Sequence, residues 1–183
     1  LLRAASGDYV LRRQPPGVLL KSAHAVDREF RVQQALAGGT VPVPRMLALC
    51  EDDAVLGVKF YVMERVAGRN LVDPSLPEET AQTRASVMAE MARVLAAIHQ
   101  VDLDAVGLSD FGAPGAYYQR QLGRWTKQYR ASATEDQPGM ERLIHWLGEN
   151  LPDEDGQRSL VHGDYRIDNM LFSEGGTECL AVL

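Results

Sequence analysis

The chain has 183 residues, 45% hydrophobic and 24% charged, which suits one folded domain or two small lobes and excludes a disordered or fibrous chain. Its formal net charge of −6 argues against nucleic acid or an acidic membrane surface as the main partner, and no apolar run approaches the ~18 residues that a membrane span needs. Cys50 and Cys179 form no C-x-x-C pair, so neither a zinc site nor a disulfide framework is indicated, and a reducing, cytoplasmic location is expected.

Leu1 to Ala5 and Tyr9 to Arg13 read as short strands around the turn cluster Ser6-Gly7-Asp8. Period-two alternation on the second strand puts Val10 and Arg12 on one face and Tyr9, Leu11 and Arg13 on the other. Pro15-Pro16-Gly17 ends it. A helix is predicted from about Ala23 to Ala37, with Val26, Phe30, Gln33 and Ala37 in one stripe and Gly38-Gly39 as its stop. Glu29 borders that stripe. A carboxylate half-sunk in a packing face requires a cation, because an unpaired buried charge costs roughly several kcal/mol. Val41-Pro42-Val43-Pro44 cannot be helix interior and leads into a strand over Met46 to Cys50. Glu51-Asp52-Asp53 is a turn, and Lys59 to Glu64 is the next strand, left through Val66-Ala67-Gly68. Up to here the chain is a small β-rich unit with one helix.

Helices follow. Ser75 with Glu78 three residues later has the form of a capping box, with Pro77 in the first turn, and predicts a helix reaching about Gln100. Met88, Met91, Ala92, Leu95, Ile98 and His99 fall at helical spacing as its buried face, and His99 reads as a packed core histidine. A second helix, from about Gly115 to Ala131, sets Tyr118, Leu122, Trp125 and Tyr129 against Arg120, Arg124 and Lys127. That basic side is either a solvated face or a surface that meets an anionic substrate group. Met140, Leu143, Ile144 and Leu147 mark a third helix, ended by Leu151-Pro152. The acidic loop Asp153-Glu154-Asp155-Gly156 then leads to Ser159-Leu160-Val161 and Met170-Leu171-Phe172, two strand candidates on either side of a loop.

That loop, His162 to Asn169, has the form H-x-D-x-x-x-x-N. In phosphoryl transfer of the kinase type, an aspartate in such a loop accepts the proton of the acceptor hydroxyl, and an asparagine five residues on holds a magnesium ion on the nucleotide phosphates. The alternative is a solvated turn, since Gly, Asp and Asn are turn residues.

With its order of β-rich unit, helices and strand–loop–strand, the chain resembles the aminoglycoside phosphotransferase and choline kinase family, relatives of protein kinases, over nearly its whole length. His162-Gly163-Asp164 with Asn169 is similar to that family's "HGD…N". Tyr9-Val10-Leu11-Arg12 falls where the family has its V-A-I-K strand, so Arg12 takes the place of the phosphate-gripping lysine and Glu29 that of its ion-pair partner. Arg13 remains an alternative for the cation, although alternation favours Arg12, which shares a face with Val10. Within the family, Tyr9 to Gly17, Ser22 to Phe30, Tyr117 to Tyr129 and His162 to Asn169 look closest to the kinase-like domain found alone in bacteria and fused ahead of an acyl-CoA dehydrogenase in animals.

The resemblance implies an α+β, bilobal protein-kinase-like fold: a nucleotide-binding N-lobe over residues 1–66, β-rich with one helix, and a mainly helical C-lobe over residues 67–183 with the catalytic loop. It implies ATP and Mg2+ as cofactors and, as acceptor, a small-molecule hydroxyl, whether aminoglycoside-like, choline-like or on a hydroxyacyl-CoA. Asp164 would be the base, with His162 bracing the loop, Arg166 facing either the moving phosphoryl group or the lobe, and Asp168 serving the turn. Asn169 would be the metal ligand, and Met63, Glu64 and Val66 the hinge at the adenine edge. Two of the family's parts have no counterpart: the glycine-rich phosphate loop is expected before Leu1 and the second metal aspartate just after Leu183, which makes the chain an internal piece, truncated at both ends. Arg12 for lysine leaves a pseudokinase as the alternative reading, a nucleotide-binding or scaffold domain without transfer activity. Gly163, where protein kinases usually have Arg, argues against a protein acceptor.

Overall fold

A turn at Ala5-Ser6 folds strand β1 (Leu2–Ala4) back on β2 (Gly7–Arg13), and the hairpin is the start of a four-stranded antiparallel sheet. A computed structural model describes residues 1–15, 25–113, 115–154 and 156–183. The residues expected to end β2 and to begin the first helix, Pro16-Gly17 and Ala23-His24, lie outside those described. So does Asp155 of the acidic loop. Helix α1 (Val26–Leu36), strand β3 (Met46–Cys50), the short α2 (Asp53–Leu56) and strand β4 (Phe60–Glu64) follow. The sheet order is β1-β2-β4-β3. Asp52 caps α2 by accepting from the Ala54 N–H, so the expected turn over residues 51–53 continues into one helical turn.

The core beneath this sheet is formed by Val26, Tyr61 and Met63, with Val10, Phe30, Met46 and Leu49 packed against it. Val10 therefore lies on the packed face, as period-two alternation requires. Phe30 meets Tyr61 with ring centroids 6.1 Å apart.

A second sheet of order β5-β6-β7 was legible only in part. Its first strand β5 (Arg69–Asn70) pairs with β6 (Met170–Phe172), and β6 pairs with β7 (Cys179–Val182), all antiparallel. Ser159-Leu160-Val161, expected as a strand, is irregular backbone, with Leu160 buried. Gly68 lets β5 approach β6: a Cβ there would stand 2.7 Å from the Phe172 carbonyl oxygen.

Helix α3 (Ala81–His99) begins later than the Ser75–Glu78 pattern predicts. Ser75 bonds Asp73 instead, through both its N–H and its hydroxyl. The cap is Thr80, whose side chain accepts from the Thr83 N–H at 3.1 Å. The buried stripe is Val87, Val94 and Ile98, turned from the expected one, so that Met88 is 46% exposed and His99 is exposed rather than packed. Glu90 joins α3 to β7 by accepting the Cys179 N–H at 2.9 Å while it pairs with Arg93.

Packing divides the chain into two compact units, residues 1–108 with 159–183, and residues 109–158. Both sheets fall in the first unit. There the Val182 N–H donates to the Pro42 oxygen at 2.9 Å and Arg31 reaches the Gly107 carbonyl at 2.9 Å. The second unit is a pair of helices, α4 (Tyr117–Ser132) and α5 (Pro138–Glu149), tied by Arg130 to Glu141 at 2.7 Å. The carboxylate of Glu154 receives the Ala116 and Tyr117 N–H groups at the start of α4, where a helix favours negative charge. Among the described residues no helix is long and apolar enough to cross a membrane.

Phe172 is fully buried, so Phe172→Ala is expected to lower stability to urea by about 3–5 kcal/mol. Gly68→Ala, which forces β5 from β6, is expected to cost about 1–3 kcal/mol. Equal midpoints for wild type and Gly68→Ala in urea unfolding monitored by circular dichroism would contradict the close approach.

Candidate active site

Between the buried Leu160 and strand β6 the chain makes a loop that ends in a 3-10 turn, Ile167–Asn169, anchored by the buried side chain of Ile167. Gly163 enters it at φ +86°, a backbone conformation that costs other residues about 1–2 kcal/mol. The loop closes on itself through Asn169, whose Nδ2 donates to the Asp164 carbonyl oxygen at 2.9 Å and to its carboxylate Oδ2 at 3.1 Å. With both amide protons used in this way, Asn169 keeps its Oδ1 as a hard oxygen donor. Asp164 itself is exposed.

His162 is held at both ring nitrogens. Nδ1 accepts the Asp164 N–H at 3.3 Å, so the proton of the neutral ring resides on Nε2, which donates to the Leu183 carbonyl at 3.2 Å. Burial lowers the affinity of the ring for a second proton. Tyr165 stacks edge-on against His162 with centroids 5.6 Å apart and donates to the Met91 carbonyl at 2.7 Å, fastening the loop to α3. Arg166 pairs with Asp168 at 2.7 Å inside the loop. The Leu183 N–H donates to the backbone carbonyl oxygen of Asn169 at 2.9 Å, which sets the end of β7 beside the asparagine.

In the first sheet the carboxylate of Glu29 receives Arg12 through two bonds, Nε at 2.5 Å and Nη2 at 3.1 Å. The buried Tyr61 hydroxyl adds a third donor to Glu29 at 3.3 Å. Burial, with Glu29 beside it, keeps the Tyr61 phenol protonated far above its ordinary range, and the bond to Glu29 raises the Arg12 pKa. The cation that Glu29 requires is thus Arg12, and no bond from Arg13 to Glu29 is present among the described residues. Of the expected hinge, Met63 is buried in the core, and Glu64 commits its N–H to the Arg45 oxygen at 3.0 Å and its carboxylate to the Arg45 N–H at 2.8 Å. Val66 follows β4 half-buried.

Sequence reasoning missed Asn70 and Tyr165. Asn70 Nδ2 donates to the Asp168 carbonyl at 2.7 Å and the Met170 carbonyl at 3.1 Å. Its strand is two residues long, below what alternation can reveal. Tyr165 stood inside the motif, and only its distant partner on α3 gives it a task.

These groups fit a hard divalent cation carried in on a nucleotide. Magnesium keeps several waters and takes one or two protein oxygens with the phosphates, and the oxygen left on Asn169 is a donor of that kind. A family model described as a phosphotransferase enzyme family matches residues 1–183. The chain belongs to that phosphotransferase family. Among curated relatives, acyl-CoA dehydrogenase family member 10 of Mus musculus is 49% identical over 182 residues, which are 100% of this chain and 17% of the mouse protein. Acyl-CoA dehydrogenase family member 11 of Rattus norvegicus is 43% identical over 182 residues, covering 100% of this chain and 23% of the rat protein. The chain thus spans less than a quarter of the length of these relatives.

A crystal structure from Ralstonia eutropha JMP134, described as that of a candidate aminoglycoside phosphotransferase, aligns with a TM-score of 0.84 at 50% identity, over 96% of this chain and 51% of that one. The aminoglycoside-3'-phosphotransferase of type VIII, at 24% identity, aligns with a TM-score of 0.57 over 86% of this chain and 55% of its own. The chain therefore has the α+β, kinase-like fold of these proteins, with a β-sheet N-lobe and a helical part.

The ring of His162 also makes a pH dependence. The folded state binds its second proton less readily than the unfolded side chain, whose ordinary value is 6.5. Below that pH the unfolded state takes up more protons, so stability is lost as pH falls from 6.5 through the lower folded value. The stability difference between wild type and His162→Gln is expected to be constant above pH 7 and to shift in the variant's favour below pH 6.5, read from urea midpoints. A difference that does not change from pH 7.5 to 5 would refute it.

Proposed function

We propose that the whole protein is an ATP- and magnesium-dependent phosphotransferase that moves the γ-phosphoryl group of ATP to the hydroxyl of a small molecule. The observation that carries this reading is the Asn169–Asp164 closure, which presents a carboxylate and a hard carboxamide oxygen side by side in a chain of the phosphotransferase family. The exposed Asp164 carboxylate accepts the hydroxyl proton of the acceptor as its oxygen bonds to the γ-phosphorus; the bond from that phosphorus to the β–γ bridging oxygen breaks and ADP leaves. Asn169 Oδ1 is the ligand for magnesium, which when bound offsets the negative charge of the phosphates.

Arg12, held by Glu29, faces the phosphates with a planar fork instead of the point charge of a lysine. His162 has both nitrogens committed and braces the loop, and Arg166 is neutralised by Asp168. The adenine edge is assigned to the hinge at Met63, Glu64 and Val66. Since the Glu64 N–H is already used, Val66 is the backbone donor in this assignment. The acceptor is of the aminoglycoside-like, choline-like or hydroxyacyl-CoA kind, and the two unpaired cysteines accord with action in the cytoplasm.

Arg12 in place of lysine favours one second reading, a pseudokinase that binds nucleotide without transfer. An ATP-consumption screen of the whole protein against aminoglycosides, choline-like amines, sugars and hydroxyacyl-CoAs separates the two, since nucleotide binding without turnover on any hydroxyl would leave the pseudokinase. With the acceptor in hand, Asp164→Asn is expected to lower kcat ~100-fold or more at little change in the KM for ATP. Arg12→Ala is expected to raise that KM. Full turnover by Asp164→Asn would sink the assignment.

A further inference from the structure

Asn70 lies on β5, in another part of the sequence from the loop, yet its side chain reaches the carbonyls of the two residues on either side of Asn169. Its single amide nitrogen donates to the Asp168 carbonyl at 2.7 Å and to the Met170 carbonyl at 3.1 Å. Both partners are acceptors, so the amide orientation is unambiguous: an oxygen there would face two oxygens. Both amide protons of Asn70 are thereby spent on residues 168 and 170, while residue 169 between them gives its own carbonyl to the Leu183 N–H and its Nδ2 to Asp164. The 3-10 turn is short, closed within itself by the Asn169 N–H on the Arg166 oxygen at 3.1 Å and the Met170 N–H on the Ile167 oxygen. An external clamp is what holds such a turn in one geometry.

We propose that Asn70 is a positioning residue that fixes the orientation of Asn169, and so sets the affinity of the site for nucleotide-bound magnesium. This rests on the phosphotransferase reading above. Asn70 is exposed and its strand is anchored separately: Arg69 pairs with Glu79 at 2.5 Å and donates to the Gly176 oxygen at 2.8 Å, and β5 keeps its ladder to β6. Removal of the Asn70 amide therefore frees the turn and leaves the strand. Small displacements in a metal-binding or catalytic constellation lower rates by about 100-fold per ångström of misplacement, so the clamp acts on function out of proportion to its share of stability.

The test compares wild type, Asn70→Ala and Asn70→Asp in the whole protein. Asn70→Asp matters because it keeps the size but sets carboxylate oxygens against both carbonyls. Calorimetry with a non-hydrolysable ATP analogue across a magnesium series needs no turnover. Both variants are expected to require at least about 5-fold more magnesium for half-maximal analogue binding, with affinity at saturating magnesium close to wild type. Hydrogen exchange of the peptide spanning residues 167–172 is expected to quicken, while exchange in β4 stays as in wild type. With an acceptor, kcat at limiting magnesium falls and excess magnesium restores it in part. A merely structural residue would lower the melting temperature and shift no magnesium dependence, and that result would overturn the proposal, as would wild-type exchange and magnesium dependence in both variants. Wild-type turnover run alongside keeps the two readings apart: analogue binding without turnover on any hydroxyl refutes the phosphotransferase reading, whereas turnover by wild type together with wild-type behaviour of both Asn70 variants refutes only the clamp.

Discussion

One side chain, the carboxamide of Asn169, has to satisfy two demands at once, and the rest of the structure answers to them. Its nitrogen closes the loop on Asp164, and its oxygen, in the function proposed above, stays open for a cation. A carboxamide can divide itself in this way because donor and acceptor sit on one rigid plane; a carboxylate could not, having no proton to give Asp164. The buried Ile167 and Met170, the Tyr165 bond to α3 and the Leu183 N–H on the backbone carbonyl of Asn169 all hold the residue that makes this division.

The first sheet shows the same economy with charge. Glu29 would be costly at the margin of an apolar face without a partner, and it gains three donors, two from Arg12 and one from Tyr61. The pair is partly open to water, with side-chain exposures of 50% for Arg12 and 30% for Glu29. Its contribution to stability is accordingly modest, about 1 kcal/mol or less, as for other solvent-exposed pairs. Its effect is to hold a long, flexible guanidinium in one place, as the phosphate-facing role proposed for Arg12 requires. An arginine does this with two bonds to one carboxylate where a lysine would make one, and the substitution for the usual lysine is compatible with that geometry.

Where sequence reading strayed, the cause was a choice between patterns of equal local merit. On α3 the stripe through Met88, Met91 and Ala92 and the stripe through Val87, Val94 and Ile98 are both apolar at helical spacing. Contact with the rest of the fold decides between them, and the outcome leaves His99 in solvent. Ser75 and Thr80 are both good caps, and Asp73 captures Ser75 first. Val161 has strand propensity but, among the described residues, no strand with which to pair. Strand β5, at two residues, exists because Gly68 lets it approach β6, a partner about a hundred positions away.

The sequence alone determined the order of the larger elements, the H-x-D-x-x-x-x-N loop and the requirement of Glu29 for a cation. These follow from local rules: side-chain period, turn chemistry and the cost of an unpaired charge, each readable within a few residues. Only the tertiary structure decided that Arg12 rather than Arg13 meets Glu29, that both nitrogens of His162 are spent on bracing, and that Asn70 holds the peptides around Asn169. Those are matters of distance between groups that lie 17, 21 and about 100 positions apart. A hydrogen bond is set by tenths of an ångström, which local pattern does not contain and chain packing alone supplies.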